Sequence, residues 1–374
     1  MKLCFRVLGF AVLCILLLAS CATAVKSTVD YSSPVYSGVR GEQPVYTYLI
    51  LDEDLRNPDG VYTIPFTENA VEVAKATKTM RVYFMAGDRW LAANGVDAAY
   101  LGDSTLVVFP DGQTMLIDGG RSQYAPLLIE NLHMLGIEKL DYVLLSHMHN
   151  DHYGVLFVAN GILSNFPVET FIWNGSYNMA ASIPNTLANA ERKYGFDLMQ
   201  VKAGDFFYIG DVRVDIYNPD GELAGQAVAE GVLNNSSIAA KFTYGDFKSL
   251  FCGDLHVLAE WNVIHNYPNG ELDVDLLKAN HHGTDSSNSL DWAEATTPRV
   301  VYSVSMPGTS TYYHYSKVGG RVFAEFRDDY VRVVTDGYNC EVTVTADREN
   351  KAFAKYDLLV EKLYPGTFTK SDEN

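Results

Sequence analysis

The fold and chemistry predicted for this 374-residue chain rest chiefly on residues 146–154, SHMHNDHYG. Three histidines and an aspartate stand within six positions, directly after the apolar, strand-like segment 141–145. These four groups cannot all face one way on a regular strand or helix, whereas a tight loop lets them converge on two adjacent cations. The alternative is a surface loop that is rich in histidine by chance, but no packing requirement would bring four such groups together.

Strands and helices alternate on both sides of this cluster. Segments 80–85, 104–109 and 114–118 are predicted strands, the last two joined by the turn signal Pro-Asp-Gly at 110–112. Further strands or hairpins are predicted at 141–145, 168–173, 206–216, 237–252, 274–277, 300–304 and 331–344. Helices are predicted near 68–78, 125–135, 184–194, 257–265 and 290–295. This order predicts a layered α/β sandwich in one domain.

The pattern His147-x-His149-x-Asp151-His152 resembles the signature of the metallo-β-lactamase fold superfamily, whose members are αββα four-layer sandwiches with a metal site between two sheets. The resemblance extends over most of residues 80–347. Further segments are similar to the ComEC-like branch, which includes the hydrolase domain of competence proteins: GDS (102–104), LIDGG (116–120), NNSS (234–237), FCGD (251–254), KANHHG (278–283) and TDG (335–337). The segments NHH (280–282) and SSN (286–288) are also similar to those of phosphorylcholine esterases.

The resemblance implies a site for two zinc ions per chain, with manganese or iron as alternatives. The implied ligands are His147 and His149 for one metal, Asp151 and His152 for the other, Asp254 as a bridge, and His282. Asp254 follows an apolar strand and a glycine, so one carboxylate oxygen can face each cation. The sequence leaves open which of His281 and His282 is the ligand. The resemblance favours His282 and leaves His281 to hydrogen-bond a substrate oxygen.

Other residues receive roles from the same resemblance. Asp118 would orient the ligand loop without binding metal, and a turn cap is the alternative. His314 would donate a proton to a leaving group or a phosphate oxygen, and an exposed loop histidine is the alternative. Asn235 is assigned to substrate binding, and a simple turn at 234–237 is the alternative. Asp151 or Asp254 would accept and return protons during catalysis.

One departure from the wider superfamily favours phosphoester chemistry. Lactamases, lactonases and glyoxalase-like members usually have a further metal-binding histidine before the bridging aspartate, but this chain has none between His152 and Asp254. The metal at His147 and His149 would keep open positions, which suit a phosphate oxygen. The expected protein is an exported hydrolase whose two-zinc-activated hydroxide attacks a cell-envelope phosphodiester, a nucleotide or a short nucleic acid. A lactonase- or β-lactamase-type hydrolase and a non-catalytic lipid-anchored binding protein are the alternatives.

The beginning of the chain predicts export. Lys2 and Arg6 give the chain a positively charged start, and they precede an apolar run at 8–18 that is too short to span a bilayer. Leu-Ala-Ser-Cys at 18–21 resembles a lipobox, which makes Cys21 the lipidation site, and an ordinary secretory signal is the alternative. The expected location is the bacterial cell envelope, with a membrane anchor at Cys21. The expected divisions are a signal peptide at 1–20, a linker at 21–45, an N-terminal extension at 46–79, the hydrolase domain at 80–350 and a tail at 351–374.

Composition restricts the remaining function classes. With 48% hydrophobic and 20% charged residues, the chain is an ordered globular protein. Its 46 acidic and 28 basic residues give a formal charge of −18, which repels polyphosphate, so no stable complex with long nucleic acid is expected. The chain contains no G-x-S-x-G, P-loop, H-E-x-x-H or C-x-x-C motif. A serine hydrolase or a redox enzyme is therefore a poor fit, and the oligomeric state is left open.

Overall fold

The structure, a computed structural model, describes residues 46–50, 66–85, 102–178, 183–268, 270–328, 330–344 and 351–365. The predicted signal peptide at 1–20, Cys21 and the linker up to residue 45 lie outside the described residues, as does the end of the predicted tail. Within the described ranges, no helix combines the length and the apolar character needed to cross a membrane.

A nine-stranded mixed sheet forms one half of the protein. Its middle strands pair antiparallel. The last four strands in the order below pair parallel, because helical crossovers connect each of these four to the next. In spatial order the strands are β1 (Tyr46–Ile50), β18 (Cys340–Val344), β17 (Val331–Thr335), β2 (Met80–Phe84), β3 (Thr105–Val108), β4 (Thr114–Ile117), β5 (Leu140–Leu144), β6 (Val168–Trp173) and β8 (Asp197–Gln200).

A seven-stranded sheet forms the other half. In spatial order its strands are β16 (Arg321–Ala324), β15 (Val300–Ser303), β14 (Leu276–Lys278), β13 (Phe247–Phe251), β12 (Ala239–Tyr244), β10 (Val212–Asn218) and β9 (Phe206–Ile209). The first four of these run parallel, and the last four form antiparallel pairs. Two short strands, β7 (Tyr177–Asn178) and β11 (Ala227–Val228), pair separately.

Helices cover the outer face of each sheet. They are α1 (Ala70–Thr77), α2 (Ala125–Met134), α3 (Asn150–Phe157), α4 (Ile162–Asn165), α5 (Ile183–Tyr194), α6 (Val257–Asn266), α7 (Leu290–Thr296), α8 (Thr309–Lys317), α9 (Glu325–Asp328) and α10 (Lys351–Leu363). Apolar residues of α1 to α5 pack on the nine-stranded sheet. Those of α6, α7, α8 and α10 pack on the seven-stranded sheet.

The two sheets bury a third apolar layer between them. Phe84 of β2 stacks on Tyr302 of β15 with ring centroids 3.9 Å apart, a contact that adds about 0.5–1.5 kcal/mol beyond the area that the two rings bury. The order of layers is therefore helix, sheet, sheet, helix, which confirms the predicted αββα sandwich.

Elements on either side of residues 80–350 also pack onto these layers. Strand β1, within the segment assigned to the N-terminal extension, pairs in parallel with β18 at the edge of the nine-stranded sheet. Helix α10, within the segment assigned to the tail, contacts α8 through Tyr356 and Tyr312, whose ring centroids are 5.9 Å apart.

Four strand ends position the candidate site. Strands β4 and β5 are parallel neighbours in one sheet, and β13 and β14 are parallel neighbours in the other. Because their carboxyl ends meet at one edge of the sandwich, the segments that follow them converge there. These segments carry Asp118, the 146–152 cluster, Asp254 and the tandem histidines 281 and 282.

Candidate metal centre

The first histidine cluster lies at the junction of β5 and α3. The sequence analysis predicted a tight loop throughout, but α3 begins at Asn150 and includes Asp151 and His152 in its first turn. His149 is the residue before the helix and has an extended backbone, with φ −91° and ψ 149°. This change from extended to helical backbone turns the two pairs of side chains in different directions, which is the divergence that binding two cations requires.

Asp254 lies at the centre of the site. Its Oδ2 atom is 3.2 Å from Nε2 of His152 and 3.2 Å from Nε2 of His282. Nε2 of His147 is 3.9 Å from the same oxygen. Among the described residues, three groups of side chains offer ligand atoms that all lie within 4.8 Å of one another, and Asp254 is a member of two of them. The two groups that share Asp254 are a larger one, of Asp151, His152, Asp254 and His282, and a smaller one, of His147, His149 and Asp254. The third group, of Asp103, Asp118 and His152, lies behind His152.

In the smaller group, two imidazoles present nitrogens to each other. Nε2 of His147 and Nδ1 of His149 are 2.9 Å apart. The opposite nitrogen of each ring has its own partner: Nδ1 of His147 is 3.1 Å from Oγ of Ser146, and Nε2 of His149 is 3.3 Å from Oε1 of Glu230. The facing nitrogens are therefore the atoms available to a cation.

The tandem histidines lie in a turn with strained backbone. His281 has φ 48° and His282 has φ 56°, left-handed conformations that cost non-glycine residues about 1–3 kcal/mol and that concentrate at functional sites. His282 turns its Nε2 toward the centre, 3.6 Å from Oδ2 of Asp151. His281 is at the rim, 3.8 Å from Asp254, and its Nδ1 bonds Oγ of Ser286 at 2.7 Å. The structure thus includes His282, and not His281, in the four-residue group.

Asp118 connects the ligand-bearing segments. One carboxylate oxygen accepts hydrogen bonds from Nδ1 of His152 at 2.8 Å and from Oγ of Ser146 at 2.7 Å. The other oxygen accepts from the backbone N of Ser146 at 2.7 Å. A carboxylate on the remote nitrogen of an imidazole directs the ring and its tautomer, so that Nε2 of His152 faces Asp254.

The carboxylates make the centre strongly attractive to cations. Burial alone would lower the pKa of His152, but the charges of Asp254 and Asp118 overcome it and raise that pKa to about 10. In the same way, Asp254 and Asp103 raise the pKa of His282 well above its ordinary value despite burial. Burial opposes ionisation of Asp254, and the neighbouring His152 and His282 nevertheless hold its pKa well below the usual range.

The pKa values of the other two imidazoles shift in the opposite direction. Burial, with the nearby His152, lowers the pKa of His147 well below its ordinary value. Burial also lowers the pKa of His281 to about 4, so this imidazole is neutral at pH 7. A neutral His147 can present a nitrogen lone pair to a metal ion.

The available atoms fit divalent cations. Within the described part of the chain, three buried atoms at the centre have no hydrogen-bond partner: Nε2 of His152, Nε2 of His282 and Oδ1 of Asp254. Buried polar atoms without partners are rare in proteins and need an explanation such as an ion. The donor set of imidazoles and carboxylates suits zinc, manganese or iron. His147, His149 and Asp254 would hold one ion, and Asp151, His152, Asp254 and His282 the other.

Three charged residues at the site received no role from the sequence analysis. Asp103 and Lys278 form a buried ion pair behind His282, and Glu230 contacts His149 at the rim. Asp103 and Lys278 lie in the GDS and KANHHG segments on which the resemblance rests. A lysine at the end of an apolar strand was the signal in the sequence that could have indicated a buried ion pair. The sequence held no comparable signal for Glu230, because that residue is a single acid in the mostly apolar segment 227–233, before the NNSS segment.

Two predicted site residues have their described contacts outside the central groups. Nδ1 of His314 donates to the backbone carbonyl of Asn288 at 2.9 Å, in the segment after the tandem histidines. Asn235 lies in a short helical turn, and its backbone carbonyl accepts a hydrogen bond from Asn218 at 2.9 Å. Catalytic and substrate-binding roles for these two residues stay predictions.

Comparison with known proteins bears on the family of this chain. Residues 99–159 match the family model described as Metallo-beta-lactamase superfamily. ComE operon protein 3 of Bacillus subtilis is 25% identical over 231 residues, which are 57% of this chain and 28% of that protein. The chain thus corresponds to less than a third of this relative's length. These findings confirm the predicted resemblance to the metallo-β-lactamase superfamily and its ComEC-like branch.

Two solved structures are similar to this one. The metallo-β-lactamase fold protein YhfI of Bacillus subtilis is 14% identical with a TM-score of 0.41, covering 66% of this chain and 95% of its own. The metal-dependent hydrolase Tm1679 of the β-lactamase superfamily is 17% identical, also with a TM-score of 0.41 and the same two coverages.

Proposed function

We propose that this protein is a two-metal phosphodiesterase that acts on a small or cell-envelope phosphodiester. The observation that carries the proposal is the position of Asp254, whose carboxylate belongs to two groups of ligand atoms. Two divalent ions held by these residues would supply an acidified water molecule and would polarise the oxygens of a phosphodiester. A member of the superfamily with this ligand arrangement is best explained as a metal-dependent hydrolase.

The unequal sizes of the two groups support phosphoester over β-lactam chemistry. The group around His147 and His149 has three side chains, and the group around His152 and His282 has four. The smaller group leaves more coordination positions for an oxygen ligand, and phosphate oxygens are the hard ligands that such positions prefer.

The exposure of the ligands supports an approach from one side. The side chains of His147, His152 and Asp254 are at most 2% exposed, whereas those of His149, Asp151 and His281 are 20–26% exposed. A substrate would therefore reach the centre along the face that carries these three partly exposed residues. There His281 would donate a hydrogen bond to a non-bridging oxygen, with Ser286 holding the opposite nitrogen.

Asp151 is the residue proposed to carry a proton. It is half-buried, its Oδ2 lies 3.6 Å from Nε2 of His282, and it belongs to the substrate-facing side of the centre. A carboxylate in this position can accept a proton from the attacking water and return it to the leaving oxygen. The role proposed for His314 is to donate to the leaving group from the segment that it already contacts through Asn288.

Two chromogenic substrates test the proposal. The metal-loaded protein is expected to hydrolyse bis-(p-nitrophenyl) phosphate and to leave nitrocefin nearly intact, because the smaller ligand group favours phosphate oxygens. Rates are compared at equal substrate concentration with added zinc, manganese or iron. Turnover of nitrocefin alone would favour the lactamase alternative, and turnover of neither substrate in the presence of all three metals would favour a binding protein.

We further propose that the protein is exported and anchored to a membrane by a lipid on Cys21, with the enzyme facing substrates of the envelope. The lipobox-like segment 18–21 supports this proposal. Expression of the full chain and its Cys21→Ser variant, followed by membrane fractionation and mass spectrometry, tests it. The wild type is expected in the membrane fraction with an acylated Cys21, and the variant without the lipid mass. Equal partition without acylation would refute the anchor.

A further inference from the structure

A buried ion pair lies directly behind the candidate metal centre. Lys278, at the end of β14, donates a hydrogen bond to Oδ2 of Asp103. The two side chains are 5% and 6% exposed, and 175 residues separate them in the sequence. Asp103 is outside the two groups of ligand atoms that share Asp254 and belongs to the third group, with Asp118 and His152. Burying a charged pair is costly, so the pair requires an explanation.

Asp103 faces the remote side of two ligand imidazoles. Its Oδ1 is 3.6 Å from Nδ1 of His282 and, among the described residues, has no hydrogen-bond partner. Its Oδ2 is 3.8 Å from Nδ1 of His152, the nitrogen that Asp118 already binds. Asp103 therefore lies on the same side of His282 as Asp118 does of His152, next to the nitrogen opposite the one that faces Asp254. The Asp103 oxygen is 3.6 Å from its ring nitrogen, whereas Asp118 accepts a hydrogen bond at 2.8 Å.

Lys278 is close enough to Asp254 to interfere with a metal ion. Its Nζ donates to the carbonyl of Gly253 at 2.9 Å and lies 4.0 Å from Oδ1 of Asp254. An ammonium group in contact with that oxygen would compete with a cation for it, since at about 4 Å the attraction of unit charges is a few kcal/mol in a protein environment. The bond to Asp103 directs the ammonium group away from Asp254.

The main chain holds Asp103 at this point. Its backbone N donates to the carbonyl of Asp151 at 3.0 Å, which connects the 102–104 segment to the ligand-bearing helix α3. The carboxylate of Asp103 thus has a defined position relative to the ligands on both sides of it.

We propose that Asp103 is a positioning residue, which holds Lys278 away from Asp254 with one oxygen and orients the imidazole of His282 with the other. This inference rests on the metal-binding part of the proposed function and not on its substrate. It assigns Lys278 the role of neutralising Asp103. Without Lys278, Asp103 would be a third buried carboxylate with no counter-charge of its own, beside the buried Asp118 and Asp254 and the half-buried Asp151.

A double-mutant cycle with zinc as the probe tests the proposal. Zinc affinity of the full chain is measured by chelator competition for the wild type, Asp103→Asn, Lys278→Met and the double variant. Asp103→Asn is expected to bind zinc about 10–100-fold more weakly, the range for removal of a group that orients a ligand. Lys278→Met is expected to bind within about threefold of the wild type or more tightly, because Asp103 already keeps the ammonium group off Asp254 and the substitution only removes a nearby positive charge.

The double variant separates the competition from a simple loss of structure. Without Lys278 there is no ammonium group to hold away, so the double variant is expected to bind zinc at least about fivefold more tightly than Asp103→Asn. Wild-type affinity in Asp103→Asn would overturn the proposal, as would a double variant no better than that single variant. If Asp103→Asn does not fold, a loss beyond about tenfold in Lys278→Met overturns it.

Lys241 provides a matched control. Lys241 is also a buried lysine, and it lies on β12, outside the ligand groups. Its Nζ donates a hydrogen bond to the backbone carbonyl of Glu271 at 2.6 Å. Lys241→Met is expected to lower the melting temperature without changing zinc affinity. A comparable loss of zinc affinity in Lys241→Met would assign the effect to general destabilisation and overturn the positioning role.

This test and that of the proposed function fail independently. Weakened zinc binding with rescue in the double variant, but no hydrolysis of bis-(p-nitrophenyl) phosphate, supports the positioning role and rejects the phosphodiesterase. Hydrolysis of that substrate by the wild type, with wild-type zinc affinity in Asp103→Asn, supports the phosphodiesterase and rejects the positioning role.

Discussion

Asp254→Asn is expected to remove most of the bound metal and to lower phosphodiester hydrolysis by at least about 10³-fold, equivalent to about 4 kcal/mol of transition-state stabilisation. The reason is that Asp254 is the one residue shared by the two ligand groups. An amide has a single weak acceptor oxygen and cannot neutralise two cations. Metal analysis of the purified wild type is expected to give about two zinc per chain, and the variant well below one.

A graded comparison strengthens this prediction. His149 belongs only to the smaller group, so His149→Ala is expected to lose about one of the two metals. Asp275→Asn is the matched control, because Asp275 is also a buried aspartate and accepts a hydrogen bond from the backbone N of Lys248 at 2.9 Å. Its metal content is expected to equal that of the wild type. Unchanged metal in both Asp254→Asn and His149→Ala would reject the site.

Gly102→Ala is expected to destabilise the protein and weaken metal binding together. A Cβ atom on Gly102 would lie 1.7 Å from the carbonyl oxygen of Asp151, the ligand residue in the first turn of α3. Gly102 also has φ +79°, which costs a non-glycine residue about 1–2 kcal/mol. Relief of the overlap requires a backbone shift that adds about 1–3 kcal/mol and moves Asp151. Urea unfolding and zinc competition measure the two effects.

Gly204 separates the two contributions. It has φ +91°, and a Cβ placed there would meet no described atom within 4 Å. Gly204→Ala is therefore expected to show the conformational cost alone, with unchanged zinc affinity. If both alanine variants lose the same free energy of unfolding, the close approach of residues 102 and 151 adds no cost to the stability of Gly102→Ala.

Much of the architecture is predictable from local pattern. The predicted strand at 168–173 is confirmed as β6, and the predicted helix at 257–265 is confirmed as α6, Val257–Asn266. Segment 168–173 consists mostly of β-branched and aromatic residues, and segment 257–265 has apolar residues three and four positions apart. Both signals depend only on near neighbours in the chain. The segment 146–154 was predicted as a loop throughout, because its polar, ligand-rich residues hide the helical start at Asn150.

The chemistry available at the site can be read from the amino-acid sequence alone. Imidazoles and carboxylates at 147, 149, 151 and 152, with Asp254 and the tandem histidines, are side-chain types whose preference for divalent cations does not depend on the fold. The spacing of the first four is local, so a single stretch of nine residues was enough to recognise them.

Which atoms face one another depends on the three-dimensional packing of the two sheets. The tertiary structure turned His282 inward and left His281 at the rim, because the strained backbone after β14 sends adjacent side chains in different directions. It also joined Asp103 to Lys278 across 175 residues, a contact that depends on how the two sheets come together at one edge. Local spacing contains no information about such contacts, since they arise when strands that are distant in the sequence end at the same point in space.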